Sequence, residues 1–247
     1  MITKVAVVGA TGRMGQLASR LIEASEDFEL VASLDSKAPL SDMLGAEIVV
    51  DVTVPSVSQS VVEFAVANGL NVLVGTSGWS GERISALERM ITDNLAVGVV
   101  IIPNFSVGSV LATHFAAVAA PFFESIEIIE AHHASKVDSP SGTAVRTAEL
   151  IGEARASLGP VKAPHADQRA RGQQVSSIPI HSMRMTGISA KQDVVFGGNG
   201  ETLTLSHLTI SPTSYEAGIM LALRAARTAR GVTVGLDRLI DLGIAKP

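Results

Sequence analysis

The chain contains no cysteine. Disulfides, thiol nucleophiles and metal sites built on thiolates are therefore excluded. Aromatic residues are scarce, 4% of 247 residues with one tryptophan and one tyrosine, so the stacking platform that single-stranded nucleic acid requires is missing. Lys and Arg number 19 against 24 Asp and Glu, for a net charge of −5. The basic residues are dispersed, which leaves no face for a nucleic-acid partner. Apolar residues reach 47%, yet charged residues break every apolar run within about 15 positions, short of a membrane span. The opening Met1-Ile2-Thr3-Lys4 leads into a strand pattern rather than a signal core. These absences predict a cytoplasmic protein with a small-molecule partner, no nucleic acid and no membrane.

What is present is an alternation of strand and helix patterns over the first hundred residues. Val5-Ala6-Val7-Val8 is short and wholly apolar, as expected inside a parallel sheet. Met14, Leu17, Ala18, Leu21 and Ile22 recur at helical spacing. Strands are predicted at Leu30–Leu34, Ile48–Val50, Val72–Val74 and Val97–Ile102, with helices at Val57–Asn68 and Gly81–Asp93. This rhythm predicts an α/β fold with a doubly wound, Rossmann-type parallel sheet.

Beyond Pro103 the pattern changes. Ser106 suits the cap of a helix running to about Ala120, where Pro121 stops it. A strand starts at Ile126 and a helix runs from Thr143 to about Ala156. Residues 159–172, rich in Pro, Gly and charge, read as a mobile loop. Ile178–Met185, Asp193–Phe196 and Thr202–Leu208 read as strands, with Met183 and Met185 in the core. Clustered strands predict a central α+β domain, and a last helix is expected over Tyr215–Arg227. No internal repeat or low-complexity tract is present.

The first glycine-rich turn, Gly9-Ala10-Thr11-Gly12-Arg13-Met14-Gly15, follows the first strand and opens the first helix. Its glycines permit close backbone approach to a pyrophosphate, which the helix N-terminus attracts. Asp35, at the end of the second strand, is placed to accept ribose hydroxyls. A carboxylate there favours NAD, whereas Arg13 and Lys37 favour the extra phosphate of NADP. NADH or NADPH is therefore the expected cofactor, with NADH at least as good. Gly75-Thr76-Ser77-Gly78 and Ile102-Pro103-Asn104-Phe105-Ser106 lie at the ends of two further strands, as walls for a nicotinamide or as ordinary turns. Trp79 either covers the cofactor or packs.

The richest segment is Glu130-Ala131-His132-His133-Ala134-Ser135-Lys136-Val137-Asp138-Ser139-Pro140-Ser141-Gly142-Thr143. A strand delivers two histidines and a lysine, and a Ser-Gly-Thr opens a helix. Histidine titrates near working pH and donates protons. Lys136 offers a point charge to a carboxylate. Ser141 suits an N-cap, and the N–H groups of Gly142 and Thr143 suit a second carboxylate. Asp138 either orients one of these groups or stabilises the turn. Such a set fits a small unsaturated dicarboxylate that must be held and protonated. No metal is expected, because adjacent histidines diverge and no third ligand has suitable spacing. His114, His165, His181 and His207 read as structural. Arg169 and Arg171 read as loop charges within reach of a substrate as the alternative.

These residues resemble the 4-hydroxy-tetrahydrodipicolinate reductase family, long called dihydrodipicolinate reductase. The likeness covers essentially the whole chain. It rests on Val8 to Gly15, Gly75 to Gly78, Pro103 to Ser106 and above all Glu130 to Ala144, with Ile178-Pro179-Ile180-His181-Ser182 and Gly200-Glu201-Thr202-Leu203-Thr204 in support. The resemblance implies a dinucleotide-binding domain of residues 1–103 and 218–247. It implies a substrate-binding and oligomerisation domain of residues 104–217 and a homotetramer. Closure between the domains is expected because the cofactor and substrate signals sit on different ones. It implies NAD(P)H at Gly9, Ala10, Thr11, Gly12, Arg13, Met14, Asp35, Gly75, Thr76, Ser77, Ile102, Pro103, Asn104 and Phe105. His132 would give the proton with Lys136 assisting. His133, Ser141, Gly142 and Thr143 would bind substrate in lysine and diaminopimelate biosynthesis. Two departures stand out. Ser77 replaces the usual second threonine, and Pro212 stands where the family commonly carries an arginine, with Arg184 or Arg171 as candidate substitutes. Pro212 keeps open a diverged imine reductase acting on another small carboxylate substrate. A non-catalytic dinucleotide-binding protein is the alternative of a different class.

Overall fold

The computed structural model describes residues 2–92 and 96–241. Asp93, the expected end of the third helix, and residues 242–247 of the expected first domain lie outside them. The chain forms two compact units, one comprising residues up to Ser106 together with those from Tyr215 onward, the other Val107–Ser214. The sequence expectation set these crossings at 103 and 218. The Phe105 ring occupies the space beside Gly75, and the Phe105 carbonyl abuts Gly218, so the segment around Phe105 packs with the first unit.

The first unit alternates β1 (Thr3–Val8), α1 (Arg13–Glu23), β2 (Phe28–Leu34), β3 (Ile48–Asp51), α2 (Pro55–Ala67), β4 (Asn71–Val74), α3 (Gly81–Thr92) and β5 (Gly98–Ile101). The strands are short because they are covered on both faces and need no polar side. Val5, Val7, Val49, Val72, Leu73 and Val99 have no exposed surface. Each such side chain contributes about 1.5–3 kcal/mol through burial. Pro55 sits in the first turn of α2, where its fixed φ and missing N–H cost nothing.

The second unit holds α4 (Val107–Ala119), β6 (Ser125–His132), α5 (Gly142–Ala154), β7 (Gln173–Val175), β8 (Ile178–Arg184), β9 (Ala190–Gly198) and β10 (Glu201–Thr209). Pro121 ends α4 in a short 3-10 turn. The sheet order is β10-β9-β6-β8-β7, and only the β6–β8 pair is parallel. Ile126, Ile128, Ile178, Ile180, Val194 and Phe196 pack against Ala116, Ala144, Ala148 and Ile151 of α4 and α5. Thr147 links the layers, at 2.9 Å from the Thr113 hydroxyl and accepting from the Gln192 amide at 3.0 Å. Among the described residues of this unit, α4 and α5 cover one face of the sheet. Met183 and Met185, expected in the core, are 46% and 43% exposed. They occupy alternate positions that point away from the helices.

The chain then returns through α6 (Glu216–Ala226) and β11 (Gly231–Val234) to the first unit. The first sheet is wholly parallel, in the order β11-β5-β4-β3-β1-β2. Strand order reverses at β1, the position where such sheets take ligands beyond their carboxyl ends.

Candidate active site

In the first unit, the turns after β1, β3, β4 and β5 share one edge of the parallel sheet. Gly9 has φ of +88° and donates its N–H to the Leu34 carbonyl at 2.9 Å. A side chain there would collide with the Val52 carbonyl, and one on Gly15 with the Gly9 carbonyl. The loop thus needs glycine for close approach. Gly12 caps α1 without a side-chain hydrogen bond, and the first helical turn has no acidic residue. An uncompensated helix N-terminus next to Arg13 fits an anion such as a pyrophosphate. Asp35 accepts from the Lys37 and Ala38 N–H groups at 2.8 and 3.1 Å, which fixes its carboxylate beside the end of β2. Gly75 packs on the Phe105 ring. Buried Thr76 donates to the Asp51 carbonyl at 3.4 Å. Ile102 donates to Val74 at 2.8 Å, and Asn104 receives the Ser106 N–H at 2.9 Å. Pro103 and Ser77 are exposed on the same edge.

Asp51 belongs to none of the sequence motifs. It is fully buried at the end of β3 and accepts from Thr53 and from the Ser58 hydroxyl. Trp79 donates to Ser58 at 3.0 Å and packs on the core, so it contributes to this brace. A lone carboxylate closing the otherwise apolar run Ile48-Val49-Val50 was the available signal.

In the second unit, β6 ends on His132. His132 Nδ1 is 2.6 Å from the Glu130 carboxylate, which is fully buried. His133 diverges: its Nδ1 lies 2.8 Å from the Ser135 hydroxyl. Lys136 donates to both Asp138 oxygens, at 2.6 and 2.7 Å. Asp138 is thus the carboxylate that Lys136 holds in this state. Ser141 caps α5 by accepting the Ala144 N–H at 3.2 Å, and its own N–H donates to Glu130 at 3.2 Å. Gly142 is exposed, with open space where a side chain would stand. Thr143 follows it in the first turn, and that turn too lacks acidic residues.

Burial lowers the proton affinity of His132. The hydrogen bond and charge of Glu130 oppose this, and the charges of Lys136 and Arg184 add to the lowering. The net result lies below the usual histidine value. His132 is therefore mostly neutral at neutral pH until a nearby anion favours its charged form. The arrangement can hold one carboxylate at the α5 N-terminus and a second near Lys136, with an acid beside both.

Pro212 opens a short 3-10 turn, Pro212–Tyr215. Of the two cations considered in its place, Arg171 pairs with Glu127, which His181 also contacts at 2.7 Å. Arg184 pairs with Glu130 at 2.9 Å through both terminal nitrogens, next to His132. His207 lies beside Gly108 and is pushed toward its neutral form by burial. A cavity of about 390 Å³ lined by Glu149, Arg155, Ser176 and Ile178 lies at the far end of α5. Among the described residues no cluster of three or more His, Asp or Glu could hold a metal, and no helix is long and apolar enough to cross a membrane.

Comparison with known proteins gives a consistent result. The profile "Dihydrodipicolinate reductase, N-terminus" matches residues 3–105, and "Dihydrodipicolinate reductase, C-terminus" matches residues 108–240. The 4-hydroxy-tetrahydrodipicolinate reductase of Clavibacter sepedonicus is 77% identical over 98% of this chain and 87% of its own. That of Streptomyces griseus is 44% identical over 97% and 98%. A dipicolinate-bound dihydrodipicolinate reductase from Paenisporosarcina sp. TG-14 superposes with a TM-score of 0.82 at 31% identity, covering 97% of this chain and 100% of that one.

Proposed function

The chain belongs to the dihydrodipicolinate reductase family, and on that premise we propose that it reduces 4-hydroxy-tetrahydrodipicolinate to tetrahydrodipicolinate in lysine and diaminopimelate biosynthesis. Nicotinamide dinucleotide, when bound, supplies the hydride, and the 4-hydroxyl leaves as water. The observation that carries this reading is the pair of buried Glu130 and half-buried His132 set directly beside the N-terminus of α5. It joins an acid and an anion site in one segment. His132 gives the proton, and Lys136, released from Asp138, holds a substrate carboxylate and assists. His133, Ser141, Gly142 and Thr143 take the other. Gly9 to Met14 take the pyrophosphate, Asp35 the ribose, and Gly75 to Ser77 with Ile102 to Phe105 flank the nicotinamide. The test is direct: the purified protein, given the product of the preceding synthase, oxidises NADH rapidly. Tight NADH binding without turnover would instead support the alternatives, an imine reductase with another small carboxylate substrate or a non-catalytic dinucleotide-binding protein.

The cofactor reading is NADH at least as good as NADPH. Asp35, fixed by two N–H donors, repels a 2′-phosphate. Comparing kcat/KM for the two cofactors checks it, and a strong NADPH preference would overturn the reading.

Substrate binding should also take up a proton. A dianion near His132 raises its affinity for a proton above the lowered value of the free form. Between those two values, binding of dipicolinate weakens as pH rises, by at most about tenfold per pH unit for one coupled proton. Titration calorimetry in buffers of different ionisation heat measures the uptake. A pH-independent Kd would contradict it.

Assembly as a cytoplasmic homotetramer completes the proposal. The face of the second sheet away from α4 and α5 supports it, because Ile129, Met183 and Leu208 are exposed there. Such apolar surface fits a subunit interface.

A further inference from the structure

Glu130 stands two residues before His132 on the same face of β6 and touches its ring. Its side chain is fully buried on the helix-covered face of the sheet. Because β6 and β8 pair in parallel, Glu130 lies opposite Ser182, and His132 opposite Arg184. Four groups converge on its two oxygens. Arg184 donates to each at 2.9 Å. The Ser141 N–H donates to one at 3.2 Å, His132 Nδ1 meets the other at 2.6 Å, and Ser182 adds a side-chain hydrogen bond. Burial alone would push the Glu130 carboxyl up; the bonds from Arg184, Ser182 and His132 and the Arg184 charge bring it below its usual value.

An ionised carboxylate only accepts hydrogen bonds. His132 Nδ1 must then carry the proton of that contact, which leaves Nε2 as the nitrogen open to a ligand. We propose that Glu130 is a positioning residue for the reduction. It keeps the Nδ1–H of His132 turned toward itself, so that the proton taken up on substrate binding sits on Nε2 and is delivered from there, and it holds Ser141, the cap of α5, at a fixed distance from that ring. The inference rests on the reading of His132 as proton donor. The charged groups facing His132 are Glu130 on its own strand, Arg184 on β8 and Lys136 in the following turn, with Asp138 on Lys136. Its partner on β9 is the uncharged Ala190. Of the groups that act on the ring, Glu130 alone favours the charged form.

Two measurements test this. In Glu130→Gln, Arg184 and Lys136 act unopposed, so the fall of kcat/KM with rising pH should move to lower pH by about one unit, about tenfold at a fixed pH above it. NADH affinity should stay constant. In the unaltered protein, nitrogen-15 NMR of histidine should find the neutral His132 ring protonated at Nδ1. An unmoved pH limb, or an Nε2–H tautomer in the unaltered protein, would overturn the proposal. The NMR experiment decides the tautomer even if the variant does not fold. His132→Gln in the same assay separates the two ideas: intact turnover there removes the donor reading, whereas lost turnover with an unmoved limb in Glu130→Gln removes only the role of Glu130.

Discussion

A His132→Gln variant should lose about 10²- to 10⁴-fold in kcat, the usual contribution of a positioned general acid. Glutamine can still donate an amide hydrogen to Glu130, so the β6 terminus and the start of α5 keep their places. It has no proton to give at working pH. NADH affinity should be unchanged, because the glycine turn and Asp35 belong to the first unit. Dipicolinate should still bind, but without the proton uptake expected of the unaltered protein. Steady-state rates together with calorimetry decide the matter. A kcat near that of the unaltered protein would remove His132 from the chemistry. Changes at His133 or Thr143 should act differently, raising KM more than they lower kcat.

Arg184→Met should be the most destabilising single change at the site, by about 3–5 kcal/mol at neutral pH, the cost of leaving one member of a buried ion pair alone. Arg184 grips both oxygens of Glu130 and also donates to the Asp138 carbonyl at 2.6 Å. Its loss strands a buried carboxylate and frees the turn that carries Lys136. The pH dependence identifies the cause. In the unaltered protein the Glu130 pKa is depressed, so its contribution is present above the unfolded pKa and is lost as pH falls through the folded one. Without Arg184 the main opposition to desolvation is gone, and Glu130 relieves its burial by taking a proton. The deficit of the variant should therefore shrink on mild acidification. Urea unfolding of both proteins at neutral and mildly acidic pH measures it. A deficit independent of pH would mean that lost packing, not stranded charge, is responsible.

The ease of reading this chain followed its periodicity. The apolar strands of the first sheet and the helices between them were legible because full burial leaves an unbroken apolar signature. The Ser141 cap was legible because its chemistry is local. β7 and β11 were not recognised: Gln-Gln-Val and Gly-Val-Thr-Val are too short to show a period. Met183 and Met185 were misplaced for another reason. Alternation separates two faces of a strand but does not say which face helices will cover. Glu130 stood in full view, two residues before His132 and hence on the same face. Its role was hidden because Ser182 and Arg184 reach it only through the β6–β8 register, a long-range pairing. Pro212 drew attention to a missing cation, while the cation nearest the histidine stood on a neighbouring strand.

The contact between the Phe105 carbonyl and Gly218 has a consequence for how such a molecule is made and remade. The chain leaves one unit and re-enters it at points whose backbones touch. Everything between is an insertion with closed ends, so its length places no strain on the host. During synthesis the ribosome releases all strands of the inserted sheet before β11, the edge strand of the first. The insert has its full complement of strands while its host is still waiting for one. A protein engineer could treat it as a cassette: a short turn joining Phe105 to the start of α6 should leave a self-contained nucleotide-binding scaffold, open to a different insert.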